Sequence, residues 1–529
     1  MEKLKKQSFL KGALIVAIAN IVVKIIGALF KIPLTRFILG ADGIAVYNAS
    51  YTIYNVLFMV ATAGLPVAIS KMVSESAAKG NYAEVRRIFS VSKKLLITVG
   101  VLGMLIMFFG ARIFADRLGI SSAYTAMMAL SPSLFFVAIM SVYRGLFQGL
   151  SNMVPTAVSE MIEACGKLFI GLALSFVLLS FGKDMAATGA ILGVSTGAFC
   201  GAVFLFGYYT KVKKNLKVKE AESAKMEVSP SKRIFTRLLK LAVPITIGSA
   251  VFTLASLIDL TMILNQLAAL GFDEATRKQM YGYYSGYAVT MFNLPPTVVT
   301  SLSISIMPAI ASALATKKRE TARTLTETAV RITLLFAMPC AVGMSVLSAP
   351  ILQLLYNDIN AAGMLTVLSY GIIFVSLVMV TNAIIQATGK VWVPVVNMLI
   401  GGAVKVIVNF VLVGNININI NGAPYGTVLC YLTTASLNLI AIYKVMRPNY
   451  GAAFLLKSVL STAIMGVLAW FVYQFSAPIV GNTIALLAAV AAGGVVYLFA
   501  LLVLRALKKE DVEAMPGSKK ILKLIGRFL

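Results

Sequence analysis

The chain has 529 residues, of which 59% are hydrophobic and 13% are charged. This composition excludes a soluble globular protein, and apolar runs of roughly 20 residues indicate an all-α polytopic membrane protein rather than a β-barrel. The chain contains no histidine, and its four cysteines are isolated in apolar runs. We therefore expect no enzyme activity based on histidine, no metal site and no cofactor.

The first apolar run, at about 10–32, continues past its basic start without a cleavage site, which indicates an uncleaved membrane helix. Within it, Lys24 and Lys31 are seven residues apart and share a helix face with Asn20. Arg36 follows a proline that bends or ends the helix. Because ionisable side chains in a span are costly unless paired or hydrated, these residues are candidate substrate contacts. Lys31 and Arg36 have the alternative of extending to the outer interface.

Fourteen membrane spans are predicted along the chain. If Met1 is cytoplasmic, 36 of the 47 lysines and arginines lie in inside segments and 5 in outside loops. This bias predicts a multi-pass membrane protein with both termini cytoplasmic. It explains the net charge of +27 by topology and attraction to anionic inner-leaflet lipids, so no nucleic acid partner is expected. The spans are placed at about 10–32, 46–70, 90–112, 122–148, 155–179, 186–209, 238–264, 282–311, 328–349, 362–387, 392–413, 422–443, 454–475 and 482–505.

Three segments of the first half recur in the same order in the second half. Their offsets are similar, which indicates an internal duplication whose halves insert in the same orientation. The matching pairs are 64–89 with 306–330, 145–158 with 383–396, and 189–198 with 422–431.

The duplication predicts the domain organisation. Two parallel six-helix bundles are joined by a polar, basic connector, and two further membrane helices have no counterpart in the repeat. The predicted ranges are 1–210 and 235–448 for the bundles, 211–234 for the cytoplasmic linker, 449–507 for the additional helices and 508–529 for a basic cytoplasmic tail.

Residues 34–89, beginning LTRFILGADGIAVYNAS, and SVYRGLFQGLSNMVPTAVSEMIE (141–163) closely resemble the YtgP/SpoVB branch of the polysaccharide transporter family. That branch is related to the MurJ-type lipid II flippases of the MOP exporter superfamily, and the resemblance covers nearly the whole chain. It implies a V-shaped pair of bundles in the bacterial plasma membrane that carries an undecaprenyl-pyrophosphate-linked sugar, lipid II above all, from the inner to the outer leaflet by alternating access. We expect the protein to be a monomer. Alternatives are another polyprenyl-linked glycan, a sporulation-specific flippase and, more distantly, a cation-coupled multidrug exporter.

The resemblance also implies roles for single residues. Lys24 stands where MurJ-type proteins carry a headgroup-binding arginine, and Arg36 matches a basic position near the end of that helix. The likeness is incomplete, because two further basic residues of the MurJ pattern would fall near Leu57 or Phe58 and on Tyr287, none of which is charged. The headgroup contacts must then differ from the family pattern, or the cargo differs.

A group of charged residues lies in spans 4 and 5. Glu163 and Lys167 are spaced i, i+4, and we predict that they form a structural ion pair. Arg144, near the cytoplasmic end of span 4, pairs with Glu160 or Glu163 or lines an inward gate.

Asp259 in span 7 and Lys405 in span 11 form a second candidate pair. In some MurJ-type proteins an acid in span 7 and polar residues in span 11 bind sodium, and Asn409 stands at one such position. We hypothesise that the Lys405 ammonium replaces the ion and pairs with Asp259. A sodium site and unrelated structural roles are the alternatives.

Overall fold

The computed structural model describes residues 9–223 and 225–506, and within them it contains helices and no β-strand. The all-α membrane fold is therefore confirmed. Ten helical segments in this part of the chain are long and apolar enough to cross a membrane. Two of them, Ala19–Ala78 and Ala452–Val503, have 60 and 52 residues and can each cross more than once. The count of fourteen spans stays a prediction, and the tail at 508–529 lies outside the described residues.

The chain divides into two compact units. The first comprises Met1–Ala268 and Phe272–Gly282. It includes α8, which the sequence repeat assigns to the second half, so the repeat-based boundaries stay predictions. Its helices are α1 (Phe9–Pro33), α2 (Gly40–Thr62), α3 (Leu65–Ala78), α4 (Tyr82–Leu118), α5 (Ala123–Gly149), α6 (Val154–Leu178), α7 (Lys183–Glu222), α8 (Ser231–Ala269) and α9 (Glu274–Tyr281).

The second unit comprises Ala269–Gly271 and Tyr283–Leu529. Its last long helix is interrupted at Gly481, whose φ of 77° is not helical. Its helices are α10 (Val289–Phe292), α11 (Leu294–Ala315), α12 (Arg319–Val346), α13 (Ser348–Tyr356), α14 (Ala362–Ala387), α15 (Trp392–Val413), α16 (Ala423–Met446) and α17 (Ala452–Val503).

The end of α1 shows the effect of the predicted helix-breaking proline. Pro33 closes the helix, and a π-helical turn follows at Leu34–Leu39. Proline removes a backbone donor, and wider turns of this kind accommodate the disturbed hydrogen-bond ladder. Gly40 then takes a φ of 61°, a left-handed value that a residue without Cβ adopts easily.

Glycines allow the close approach of α6 and α7 in the first unit. A Cβ on Gly193 would lie 2.2 Å from the Cα of Gly171, and a Cβ on Gly166 would lie 2.5 Å from the Cα of Gly197. Small residues at such positions let membrane helices pack backbone to backbone. The second unit uses the same device between α15 and α16, where a Cβ on Gly401 would lie 2.6 Å from the Cys430 carbonyl oxygen.

The polar segment between the bundles is held against the first unit. Helix α7 has 40 residues, about 60 Å, and is therefore longer than the roughly 30 Å hydrocarbon core. Beyond it, the Asn81 side-chain amide donates to the Glu227 carbonyl at 2.8 Å, and the Ser229 hydroxyl donates to Glu84 at 2.8 Å. The Ala83 amide donates to the Ser223 hydroxyl at 2.9 Å. These bonds fix the connector on the turn between α3 and α4.

Candidate substrate site in the first unit

The predicted cations of the first span lie in different surroundings. Lys31 of α1 is half-buried, and its ammonium donates to the Asn48 side-chain oxygen of α2 at 3.4 Å. Lys24 and Asn20 are exposed about two and three helical turns before it. Arg36 is exposed beyond Pro33, with its guanidinium 5.1 Å from the Phe37 ring centroid. The fold thus places Lys31 against a neighbouring helix.

Lys167 of α6 lies among aromatic rings rather than beside a carboxylate. Its ammonium is 5.0 Å from the Phe30 ring centroid, 5.7 Å from that of Tyr47 and 5.0 Å from that of Tyr51. All three distances are within the range in which the negative ring face attracts a cation. Phe30 directly precedes Lys31, and Tyr47 directly precedes Asn48, to which Lys31 donates, so Lys167 and Lys31 lie against the same parts of α1 and α2. Helices α1, α2 and α6 therefore bring two cations to one half-buried location.

An aromatic stripe extends from this location along α2. The rings of Tyr47 and Tyr51 are 5.3 Å apart, those of Tyr51 and Tyr54 are 5.4 Å apart, and Phe58 follows at 5.3 Å from Tyr54. The spacing of three and four residues places these rings on one helix face. The cation pair therefore has a continuous aromatic surface beside it.

Arg144 of α5 organises the charged groups of spans 4 and 5. Its guanidinium donates to the Ser159 hydroxyl at 3.0 Å and to Glu163 at 3.2 Å, both on α6. Within the described residues Glu163 is thus paired with Arg144, and the predicted pair between Glu163 and Lys167 is wrong. The physical reason is that the planar guanidinium reaches two acceptors one turn apart, whereas the Lys167 side chain is directed across the rings. The expectation that Arg144 pairs with Glu160 or Glu163 is met by Glu163.

The residues of the second candidate pair are distributed over both units. Asp259 lies half-buried on α8 of the first unit, and Lys405 lies half-buried on α15 of the second. Their pairing stays a prediction. Asn409 is 1% exposed, and a Cβ on Gly426 would lie 2.0 Å from its side-chain oxygen, so it packs against α16. In the described part of the chain, no group of three His, Cys, Asp or Glu side chains is placed to hold a metal ion.

The second unit contains a network of neutral amide side chains that the predicted charged residues do not include. The Asn397 side chain donates to the Asn438 side-chain oxygen at 2.8 Å. Asn438 in turn donates to Thr381 at 2.9 Å and to Asn382 at 2.8 Å. The network joins α14, α15 and α16, and Asn438 is fully buried. Its sequence signal is a set of asparagines within apolar runs, where an unpaired amide would be costly.

The chain matches known protein families and is similar over its full length to curated relatives. The family described as "Polysaccharide biosynthesis protein" matches residues 9–314, and the family described as MatE matches residues 284–411. The chain is 27% identical over 528 residues to "Stage V sporulation protein B" of Bacillus subtilis, covering 99% of both chains. It is 26% identical over 535 residues to "Lipid II flippase MurJ" of the same organism, covering 96% of this chain and 97% of the relative.

Solved structures show the same fold at lower identity. An inward closed lipid II flippase MurJ matches with a TM-score of 0.65 and 14% identity, over 93% of this chain and 98% of that chain. An inward-facing multidrug resistance MATE family transporter of the MOP superfamily matches with a TM-score of 0.68 and 14% identity, over 82% and 98%. At such identities the likeness concerns the fold. With the family match across more than half of its length, the chain belongs to the polysaccharide biosynthesis protein family.

Proposed function

We propose that this protein is a flippase that moves an undecaprenyl-pyrophosphate-linked cell-wall precursor, lipid II in the first instance, from the inner to the outer leaflet by alternating access. The observation that carries the proposal is the convergence of Lys31 and Lys167 in the first unit. Neither forms an ion pair within the described residues. Full-length similarity to a lipid II flippase supports the proposal.

The chemistry of a diphosphate explains such a cation pair. Two ammonium groups close together repel each other, so a site that holds them favours an anionic ligand that neutralises both. Charged hydrogen bonds to phosphate oxygens are stronger than the aromatic contacts of Lys167 and can replace them. We propose that Lys24 receives the diphosphate first, that Lys31 and Lys167 bind it more deeply, and that the aromatic stripe contacts the saccharide rings.

The remaining predicted residues take supporting roles in this proposal. Arg36 and Asn20 flank the pathway on the first helix, and the Arg144–Glu163 pair fixes α5 to α6 beside it. We propose that both termini face the cytoplasm of the plasma membrane, which the lysine and arginine distribution supports. Asp259 and Lys405 are proposed to pair across the halves without sodium. Sodium-dependent transport that disappears in Asp259→Asn would contradict this last role.

Rescue of a bacterial strain depleted of its own lipid II flippase tests the function. We expect the wild-type chain to restore growth, and Lys24→Ala, Lys31→Gln and Lys167→Gln to restore it poorly at equal membrane abundance. Lys94→Gln is the matched control, because Lys94 is exposed on α4 and forms no ion pair within the described residues. Failure of a well-expressed wild type contradicts the lipid II assignment. Full rescue by Lys31→Gln and Lys167→Gln contradicts the cation-pair site.

Two alternatives have specific support. Similarity to "Stage V sporulation protein B" over 99% of both chains favours a sporulation-specific flippase or another polyprenyl-linked glycan. Restoration of spore formation, without rescue of flippase depletion, would select that alternative. The MatE match over residues 284–411 favours a cation-coupled multidrug exporter. Resistance to cationic drugs on expression, without rescue of either strain, would select it.

A further inference from the structure

Two neighbouring cavities lie between α4, α5 and α7 of the first unit, away from the Lys31–Lys167 pair. One has a volume of about 220 Å³ and lies toward the start of α4 and the end of α7. The other has a volume of about 370 Å³ and lies further along the same three helices. Lys93 lines both cavities, so they meet at this residue. We call the two cavities together the α4–α7 groove.

The smaller cavity is cationic. Arg86, Lys93, Lys213 and Lys217 line it, together with a single acid, Glu220. Glu220 is bonded to Arg86, whereas the three lysines form no ion pair within the described residues. Three positive charges are therefore left uncompensated around one cavity, which favours an anionic ligand.

The larger cavity is apolar apart from Lys93. Residues from all three helices line it, among them Ile97, Phe136 and Ile139. Phe199, Val203 and Phe206 of α7 also line it and are 50, 52 and 53% exposed, so the groove opens sideways from the helix bundle. In a membrane-spanning helix this side faces acyl chains.

Three aromatic rings mark the junction between the two cavities. Phe89 and Tyr209 line the cationic cavity, and Tyr143 lines the apolar one. Their centroids are 5.0 to 5.6 Å apart in every pairing. Tyrosines at such a boundary are typical of the level at which lipid headgroups meet the hydrocarbon. The cationic cavity, the aromatic rings and the apolar cavity therefore follow one another in the same order as the headgroup, the interface and the acyl chains of an inner-leaflet lipid.

We propose that the α4–α7 groove binds one anionic glycerophospholipid of the inner leaflet. The headgroup phosphate lies among Lys93, Lys213 and Lys217, and one acyl chain lies in the apolar cavity. Basic pockets between membrane helices on the cytoplasmic side are suited to anionic headgroups. A cavity of about 370 Å³ holds on the order of a dozen groups the size of a water molecule, which suits an acyl chain better than a long polyprenyl tail. The site does not depend on the proposed flippase function, and its orientation follows the predicted topology.

Native mass spectrometry of the delipidated full chain in detergent, titrated with phosphatidylglycerol, tests the headgroup contacts. We expect the wild-type chain to bind one lipid. The triple variant Lys93→Gln/Lys213→Gln/Lys217→Gln should bind it more weakly, by about fivefold for each lysine removed. The matched control is Lys94→Gln/Lys211→Gln/Lys214→Gln. It removes the same charge from neighbouring lysines that line neither cavity. Equal weakening in both triple variants would overturn the site.

The tail contact has its own variant, which remains informative if the lysine variant is unstable. Val203→Trp fills the apolar cavity from its exposed side, and we expect it to weaken phosphatidylglycerol binding several-fold. Val177→Trp is the control, because Val177 is 63% exposed on α6 and lines neither cavity. Unchanged binding in Val203→Trp would overturn the placement of the acyl chain.

The choice of probe separates the possible sources of the phosphate. We expect phosphatidylcholine, which is zwitterionic, to bind at least about fivefold more weakly than phosphatidylglycerol. Full displacement of phosphatidylglycerol by glycerol 3-phosphate would show a site for soluble phosphate and overturn the lipid assignment. Tighter binding of undecaprenyl diphosphate, lost in the lysine variant, would show that the cargo occupies the groove and would likewise overturn it.

Discussion

Neutralising the Arg144–Glu163 pair should destabilise the first unit, and the partner of Glu163 can be identified by double-mutant cycles. The side chains are only 16 and 28% exposed, so the pair is partly withdrawn from water. A hydrogen bond to a charged group contributes about 1.5–3 kcal/mol, and breaking a fully buried pair costs about 3–5 kcal/mol. With this residual exposure we expect Glu163→Gln to lower the free energy of unfolding by about 1–3 kcal/mol.

The assay is reversible unfolding of the purified protein in mixed micelles. We expect a coupling energy of about 1–2 kcal/mol between Arg144→Gln and Glu163→Gln, because the double variant leaves neither charge unpaired. Between Glu163→Gln and Lys167→Gln we expect less than about 0.5 kcal/mol, since the Lys167 ammonium is held by rings and forms no ion pair with Glu163. A larger coupling with Lys167 than with Arg144 would refute this reasoning and restore the pair predicted from the spacing.

Three further predictions concern packing, the amide network and a helix cap. Gly193→Ala should lower the free energy of unfolding by about 3 kcal/mol and separate α6 from α7, because the added Cβ would lie 2.2 Å from the Cα of Gly171. Gly207→Ala is the control and should not destabilise the protein, since its Cβ would have nothing within 4 Å. Thermal unfolding compares the two variants. Asn438→Leu should cost about 1–3 kcal/mol in the same assay by leaving buried amides unpaired, and an unchanged midpoint would contradict the network. The pKa of the Asp273 carboxyl is lowered, chiefly because the Thr276 hydroxyl donates to this carboxylate. The stabilisation that the Asp273 cap gives to α9 should therefore be fully present above the ordinary aspartate pKa and be lost as pH falls through the lowered pKa. The protection factor of the Ala275 amide, which is the exchange rate corrected for its intrinsic dependence on pH, measures this loss. In Asp273→Asn this protection factor should no longer fall with pH in that range.

The sequence was informative wherever composition or a local rule decided the outcome. Apolar runs of membrane length require helices, because backbone groups in lipid must be bonded within their own segment. Pro33 ended the first helix as its missing donor requires, and the polar connector was recognisable from its charge. Lys31 was identified as a candidate because a cation in a span demands an explanation, and the structure gives it a neighbour on another helix.

Helix spacing alone was misleading for Glu163. An i, i+4 relation allows Glu163 to reach Lys167, but it says nothing of competitors on adjacent helices. Arg144 approaches from α5 with a fork that reaches two acceptors, and Lys167 finds ring faces on α1 and α2. The asparagine network was overlooked for a related reason, because neutral amides carry no signal until the helices that complete them are known.

By itself, the sequence determined the helical membrane fold, the family resemblance and the set of cations from which a diphosphate site can be built. Those properties follow from composition, from the period of a helix and from the cost of charge in lipid, which are local quantities. Only the tertiary structure decided which groups meet. It paired Arg144 with Glu163, placed Lys167 and Lys31 against the same parts of α1 and α2, and brought a cationic cavity next to an apolar one along α4 and α7. These outcomes depend on contacts between residues far apart in the chain, for which the spacing along a single helix carries no information.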